Sequence, residues 1–127
     1  MKPHQQQPIR HAGPPVERAE GAMILLHGKG ASADNLVDLS ELLDCDRISY
    51  LAPQAENGVW FPRGVVEPIS RNQPHVSAAL ELIDGIVEAL GKAGVPRERI
   101  VLMGFCQGAC LALEYVLHRP GRYGGVY

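Results

Sequence analysis

Apolar residues gather in three dense runs along the chain, each closed by glycine or proline. The first is Ala22-Met23-Ile24-Leu25-Leu26, which ends in His27-Gly28-Lys29-Gly30. The second is Ile48-Ser49-Tyr50-Leu51-Ala52, stopped by Pro53. The third, Ile100-Val101-Leu102-Met103, passes directly into Gly104-Phe105-Cys106-Gln107-Gly108. Short, nearly unbroken apolar runs bounded by such residues predict strands buried on both faces, as in a parallel sheet. The stretches between them follow a helical period. Ser32 or Asp34 can cap a helix that carries Leu36, Leu39, Leu42 and Leu43. From His75 to Lys92 the apolar stripe is Val76, Leu80, Ile83, Val87 and Leu90, ended by Gly91 and Gly94. A third helix carries Ala109, Leu111, Ala112, Tyr115 and Val116, and stops at Arg119-Pro120-Gly121. Tyr123 to Tyr127 reads as the start of another strand.

Strand and helix thus alternate, which predicts an α/β fold: a mostly parallel sheet with right-handed crossovers and helices on both faces. Two segments fall outside the pattern. Residues 1–20 form a polar, proline-containing leader in which Ile9 to Ala12 can add a short edge strand, halted by Pro14-Pro15. Gln54 to Pro74 is a long irregular loop holding Trp60-Phe61-Pro62. Loops of that length in compact domains are commonly functional. Internal repeats and low-complexity tracts are absent from the sequence.

Composition narrows the function classes. At 127 residues the chain suits one domain and one modest core. Hydrophobic residues at 46% and charged residues at 20% are those of an ordinary globular protein. A net charge of -2 gives no electrostatic reason to expect nucleic acid or an anionic membrane as partner. No apolar run approaches the roughly 20 residues of a membrane span. The leader lacks the apolar segment of a secretory signal, so a cytoplasmic location is expected. Three cysteines without such a signal do not suggest a disulfide framework. Cys45, in Leu43-Asp44-Cys45-Asp46, reads as incidental, and no Cys or His spacing suits a metal site.

The chemistry concentrates in Gly104-x-Cys106-x-Gly108, set between a predicted strand and a predicted helix. A sharp turn there holds the central residue in a strained conformation, projects its side chain from the sheet, and uses small neighbours to avoid clashes. The helix that follows aims free N–H groups at the site, where they can stabilise a thiolate or an oxyanion. The alternative is a small buried cysteine at a strand–helix junction. His27-Gly28-Lys29-Gly30 can supply a second oxyanion donor, the backbone N–H of Lys29, because glycines let the backbone approach a substrate oxygen. The first donor is the backbone N–H of Gln107. Trp60 and Phe61 either line an acyl or aromatic pocket or pack the loop onto the domain. His11, His75 and His118 have no motif context and read as surface or capping residues.

These residues resemble the phospholipase/carboxylesterase family of α/β-hydrolases, which includes acyl-protein thioesterases and small bacterial esterases. The matching stretches are Met23 to Ala31, Leu51-Ala52-Pro53-Gln54-Ala55 with Trp60-Phe61-Pro62, and Met103 to Ala109, followed by Arg119 to Gly125. The resemblance implies the amino-terminal portion of an α/β-hydrolase fold, with residues 21–127 an incomplete domain. It also implies a nucleophile at position 106, where the family usually has serine. Cysteine at that position is similar to dienelactone hydrolases. The acid and histidine of the family's triad come after further strands, beyond Tyr127, and His27 is expected to face structure rather than the thiol.

The expected function is carboxylic ester or thioester hydrolysis through an acyl-enzyme on Cys106, on small-molecule substrates and with no cofactor. With no general base in view, turnover by these residues alone is expected to be weak. Two other classes stay open: a non-catalytic remnant that binds an acyl ligand or a partner chain, and a redox-responsive thiol protein using Cys106 and Cys110. The sequence does not set the oligomeric state.

Overall fold

The computed structural model describes residues 2–43 and 45–127; Met1 of the leader and Asp44 beside Cys45 lie outside the described residues. The elements are β1 (Ile9–Ala12), β2 (Gly21–Leu26), α1 (Ala33–Leu43), β3 (Ile48–Pro53), α2 (His75–Lys92), β4 (Ile100–Gly104), α3 (Gln107–His118) and β5 (Gly125–Val126), with short 3-10 turns between them. The strands form one sheet in the order β1-β3-β2-β4-β5. β2, β3, β4 and β5 are mutually parallel, and β1 adds to β3 antiparallel, with Ile9 opposite Pro53.

Alternation along β2 builds two cores. Ala22, Ile24 and Leu26 face one side with Leu51, Ile100 and Leu102, where α2 and α3 supply Val76, Ile83, Leu90, Leu111 and Tyr115. Leu25 faces the other side with Tyr50 and Ala52, and α1 covers it with Ala33 and Leu36. Handedness explains this division. The step from β2 to β3 runs one way across the sheet, and the step from β3 to β4 runs back past β2. Right-handed crossovers therefore put α1 on one face and α2 on the other. The step from β4 to β5 continues in the second direction, which keeps α3 beside α2. An Asp84 carboxylate on α2 ties the two helices together, accepting hydrogen bonds from Tyr115 Oη of α3 (2.8 Å) and from Nη2 of Arg119, which caps the end of α3 (2.9 Å).

The helical stripes differ in detail from the spacing-based reading. Ser32, not Asp34, caps α1: its Oγ accepts from Asn35 N–H (3.4 Å), and Asn35 Oδ1 accepts from Ser32 N–H (3.2 Å). Asp34 instead pairs with Arg10 of β1. The buried arc of α1 is Ala33, Leu36 and Ser40, and Leu42 is 80% exposed. Six residues after Leu36, Leu42 lies about 120° around the helix, outside the face that meets the sheet. In α2 the buried set includes Ile86, while Val87 is only half-buried.

Candidate active site

β2 is the strand at which the chain reverses direction across the sheet. In open α/β sheets the crevice for ligands lies at such a point, at the carboxyl ends of the strands. Here the carboxyl ends of the neighbours β2 and β4 release the two segments that carried chemistry in the sequence, His27 to Gly30 and Phe105 to Gly108.

Cys106 sits between β4 and α3 with φ 52° and ψ -114°. A positive φ at a residue with a side chain is strained, by about 1–3 kcal/mol. Its surroundings enforce the turn. A side chain on Gly104 would collide with the backbone of Gly108 and Ala109, and one on Gly108 would collide with the carbonyls of Leu26 and His27. Phe105 N–H donates to Leu26 O (3.1 Å), and Gly108 N–H donates back to Phe105 O (2.8 Å). The result is an exposed thiol at the amino terminus of a 12-residue helix.

Gly28 brings the other segment up to the thiol. A Cβ placed on it would lie 3.4 Å from Cys106 Cβ and 3.2 Å from Phe105 O, so the backbone passes directly alongside. Beyond it, Gly30 turns with φ 76° and donates its N–H to Gly58 O (2.9 Å). Among the described residues, neither Lys29 N–H nor Gln107 N–H has a hydrogen-bond acceptor. Lys29 itself is exposed.

His27 faces structure. Its Nδ1–H donates to Gly28 O (2.8 Å), and its Nε2 accepts from Ala55 N–H (3.0 Å). Both nitrogens are engaged, the tautomer is set, and the ring is fully buried. Burial lowers its pKa from the ordinary imidazole value, partly offset by the Gly28 carbonyl.

Trp60 and Phe61 are 0% and 4% exposed, so both pack the long loop onto the domain. Trp60 Nε1–H donates to His27 O (2.9 Å), and its ring lies against His27. Phe61 also borders a groove of about 240 Å³ with Cys110, Leu113 and Leu117 of α3. The side chain of Gln107 reaches the same loop. Its Oε1 accepts from Trp60 N–H (2.7 Å) and Phe61 N–H (3.1 Å), and its Nε2–H donates to Phe61 O (3.0 Å).

Sequence reasoning had no signal for His4. This leader residue is 1% exposed, at φ 67°, and accepts a hydrogen bond from Glu56 N–H at Nδ1 (2.9 Å). Its ring lies against Trp60, centroids 5.0 Å apart, and edge-on to His75. With Nδ1 accepting, the proton is on Nε2, which is buried without an acceptor among the described residues. Burial, then the neighbouring His75, lowers the pKa of His4 to about 4. His75 faces Glu56 at 4.0 Å. His118 bonds within α3, and His11 is exposed on β1. No histidine among the described residues is hydrogen-bonded to Cys106. No cluster of metal-ligating side chains occurs among the described residues, and none of their helices is long and apolar enough to cross a membrane.

Comparison with known proteins agrees with this geometry. Acyl-protein thioesterase 1 of Eremothecium gossypii is 32% identical over 93% of this chain and 57% of its own length. The Candida albicans protein of that name is 30% identical over 84% of this chain and 54% of its own. The crystal structure of a phospholipase/carboxylesterase from Dyadobacter fermentans superposes with a TM-score of 0.89 at 39% identity, over 94% of this chain and 57% of that one. This chain therefore spans little more than half the length of these relatives. Residues 12–127 match the phospholipase/carboxylesterase family. With that match, the parallel sheet and the strained turn at Cys106, the chain belongs to the phospholipase/carboxylesterase family of α/β-hydrolases.

Proposed function

We propose that this chain acts as a carboxylic ester or thioester hydrolase through a covalent acyl-enzyme on Cys106. The observation that carries the reading is the backbone of Cys106, φ 52° and ψ -114°, held between Gly104 and Gly108 with Gly28 alongside. A turn under that strain is maintained where it presents a side chain for chemistry. The relatives named for acyl-protein thioesterase and carboxylesterase supply the substrate class, an acyl group on sulfur or oxygen.

In the proposed reaction the sulfur of Cys106, as thiolate, attacks the substrate carbonyl carbon. The carbonyl oxygen becomes an oxyanion and takes up the N–H groups of Lys29 and Gln107, which are free to donate. Collapse breaks the bond to the leaving group, which departs as alkoxide or thiolate and takes a proton from water, and leaves the acyl group on sulfur. Hydrolysis then needs a base to deprotonate water. Where acylation is the faster of the two steps, the acyl-enzyme accumulates. Trp60 and Phe61 shape this site from beneath, Phe61 also at the border of the α3 groove.

Intact-mass analysis after exposure to p-nitrophenyl acetate, with Cys106→Ala in parallel, tests the reading. One acetyl adduct that the variant lacks supports it. No adduct, or equal modification of both proteins, overturns it. A second reading, binding of a partner chain, draws on the exposed apolar side chains Leu113 (57%), Leu117 (73%) and Val65 (49%) around the α3 groove. It predicts no selective acetylation of Cys106.

A further inference from the structure

The two oxyanion donors proposed above come from separate elements, the loop after β2 and the first turn of α3. An oxyanion hole requires both N–H groups at about 2.7–3.1 Å from the same oxygen. The segments meet directly where Phe105 N–H donates to Leu26 O and Gly108 packs on the carbonyls of Leu26 and His27, a contact that precedes the donor on the β2 side and flanks it on the other. A second link comes from the long loop: Trp60 gives its backbone N–H to Gln107 Oε1 (2.7 Å) and its indole N–H to His27 O (2.9 Å). The carbonyl of His27 belongs to the peptide one step before the one that carries Lys29 N–H. The Gln107 side chain is 5% exposed and makes two further bonds to Phe61. The same residue thus offers a donor through its backbone and secures the far segment through its side chain.

We propose that the indole N–H of Trp60 and the side-chain amide of Gln107 are positioning groups that set the distance between the Lys29 and Gln107 donors. The inference rests on the acyl-enzyme reading. It makes the long loop a spacer for the oxyanion hole, with Trp60 acting from the core without touching substrate. It also accounts for a buried glutamine whose amide is wholly committed to the backbone of a loop, and for a tryptophan whose N–H reaches a carbonyl in the opposite segment.

Two reactions of the same thiol separate positioning from general structure. Acylation by p-nitrophenyl acetate builds an oxyanion. Alkylation by iodoacetamide, in which sulfur displaces iodide, does not. Both rates are read by mass on the peptide that carries Cys106, resolved from the exposed Cys45, after reaction of the full chain, with Trp60→Phe and Gln107→Ala. An analogue of Trp60 with benzothiophene in place of indole keeps the ring's shape and removes only the N–H, so it keeps the test valid if the other variants fold poorly. The expected result is acylation slowed about tenfold or more, with alkylation of Cys106 within about twofold of the parent. Equal effects on the two rates, or none on either, would overturn the inference and leave the acyl-enzyme reading standing. A parent chain that alkylates but does not acylate would overturn the reading, and the inference with it.

Discussion

The carbonyl of Leu26 occupies the space that a side chain on Gly108 would need. This contact presses the first turn of α3 onto the end of β2, so the helix that follows Cys106 and the loop after β2 meet without an intervening side chain. Gly108→Ala should therefore lose stability at or beyond the upper end of the about 1–3 kcal/mol typical of overpacking. Gly30→Ala meets open space but keeps a φ of 76°, and should lose about 1 kcal/mol from backbone strain alone. Urea denaturation of the two variants measures the difference. Equal midpoints would refute the packing argument.

The strain at Cys106 gives a prediction of opposite sign. Glycine adopts a positive φ without steric conflict, so Cys106→Gly should raise stability by about 1 kcal/mol while abolishing acetylation. Cys106→Ala keeps the strain and should leave the thermal midpoint near that of the parent. A melting comparison of the three proteins decides it: no gain for the glycine variant would mean the turn is not strained.

Stability should fall as the pH drops below about 6.5. His4 has a folded pKa of about 4, against 6.5 for the free group, and burial also lowers that of His27. Between those values the unfolded chain takes up protons that the folded chain refuses. Stability is then complete above about pH 6.5 and declines toward pH 4, by at most about 1.4 kcal/mol per pH unit for each group. His4→Asn tests the assignment, since Asn tolerates the φ of 67° and its side-chain oxygen can still accept from Glu56 N–H. Trp60, the only tryptophan, lies against His4 and reports unfolding by fluorescence. The variant should show a shallower decline; an unchanged slope would exclude His4 as a source.

Asp84 joins α2 to α3 through Tyr115 and Arg119, whose guanidinium approaches it through both Nε and Nη2. Tyr115 is 1% exposed, so Tyr115→Phe should cost about 1 kcal/mol for its lost hydrogen bond. The Asp84–Arg119 pair is more than a third exposed on both sides, so Arg119→Lys should cost no more than about 1 kcal/mol. Because the two share one carboxylate, the double variant should depart from additivity. Additive urea midpoints would mean that the two contacts act independently.

The order of strands and helices was legible in the sequence, and so was the glycine-flanked position of Cys106. Apolar periodicity reports how each segment is exposed on its own axis, and glycines mark where the backbone must turn tightly. The helix from His75 to Lys92 appears with those bounds in both sequence and structure. Periodicity does not say which elements meet. That β1 pairs antiparallel with β3, that α1 covers the face opposite α2 and α3, and that Leu42 points to solvent follow from the crossovers and from the width of the face each helix presents. The site shows the same division. Gly104, Cys106, Gly108 and Gly28 stand out in sequence because glycines at that spacing mark tight turns of the backbone, although the contacts of Gly108 and Gly28 across the chain do not. The burial of Trp60 and His4, the tautomer of His27 and the grip of Gln107 on the loop cannot be read there. Each needs a hydrogen-bond partner or a ring contact from a segment 28 to 56 residues away, and only the folded chain brings those partners together.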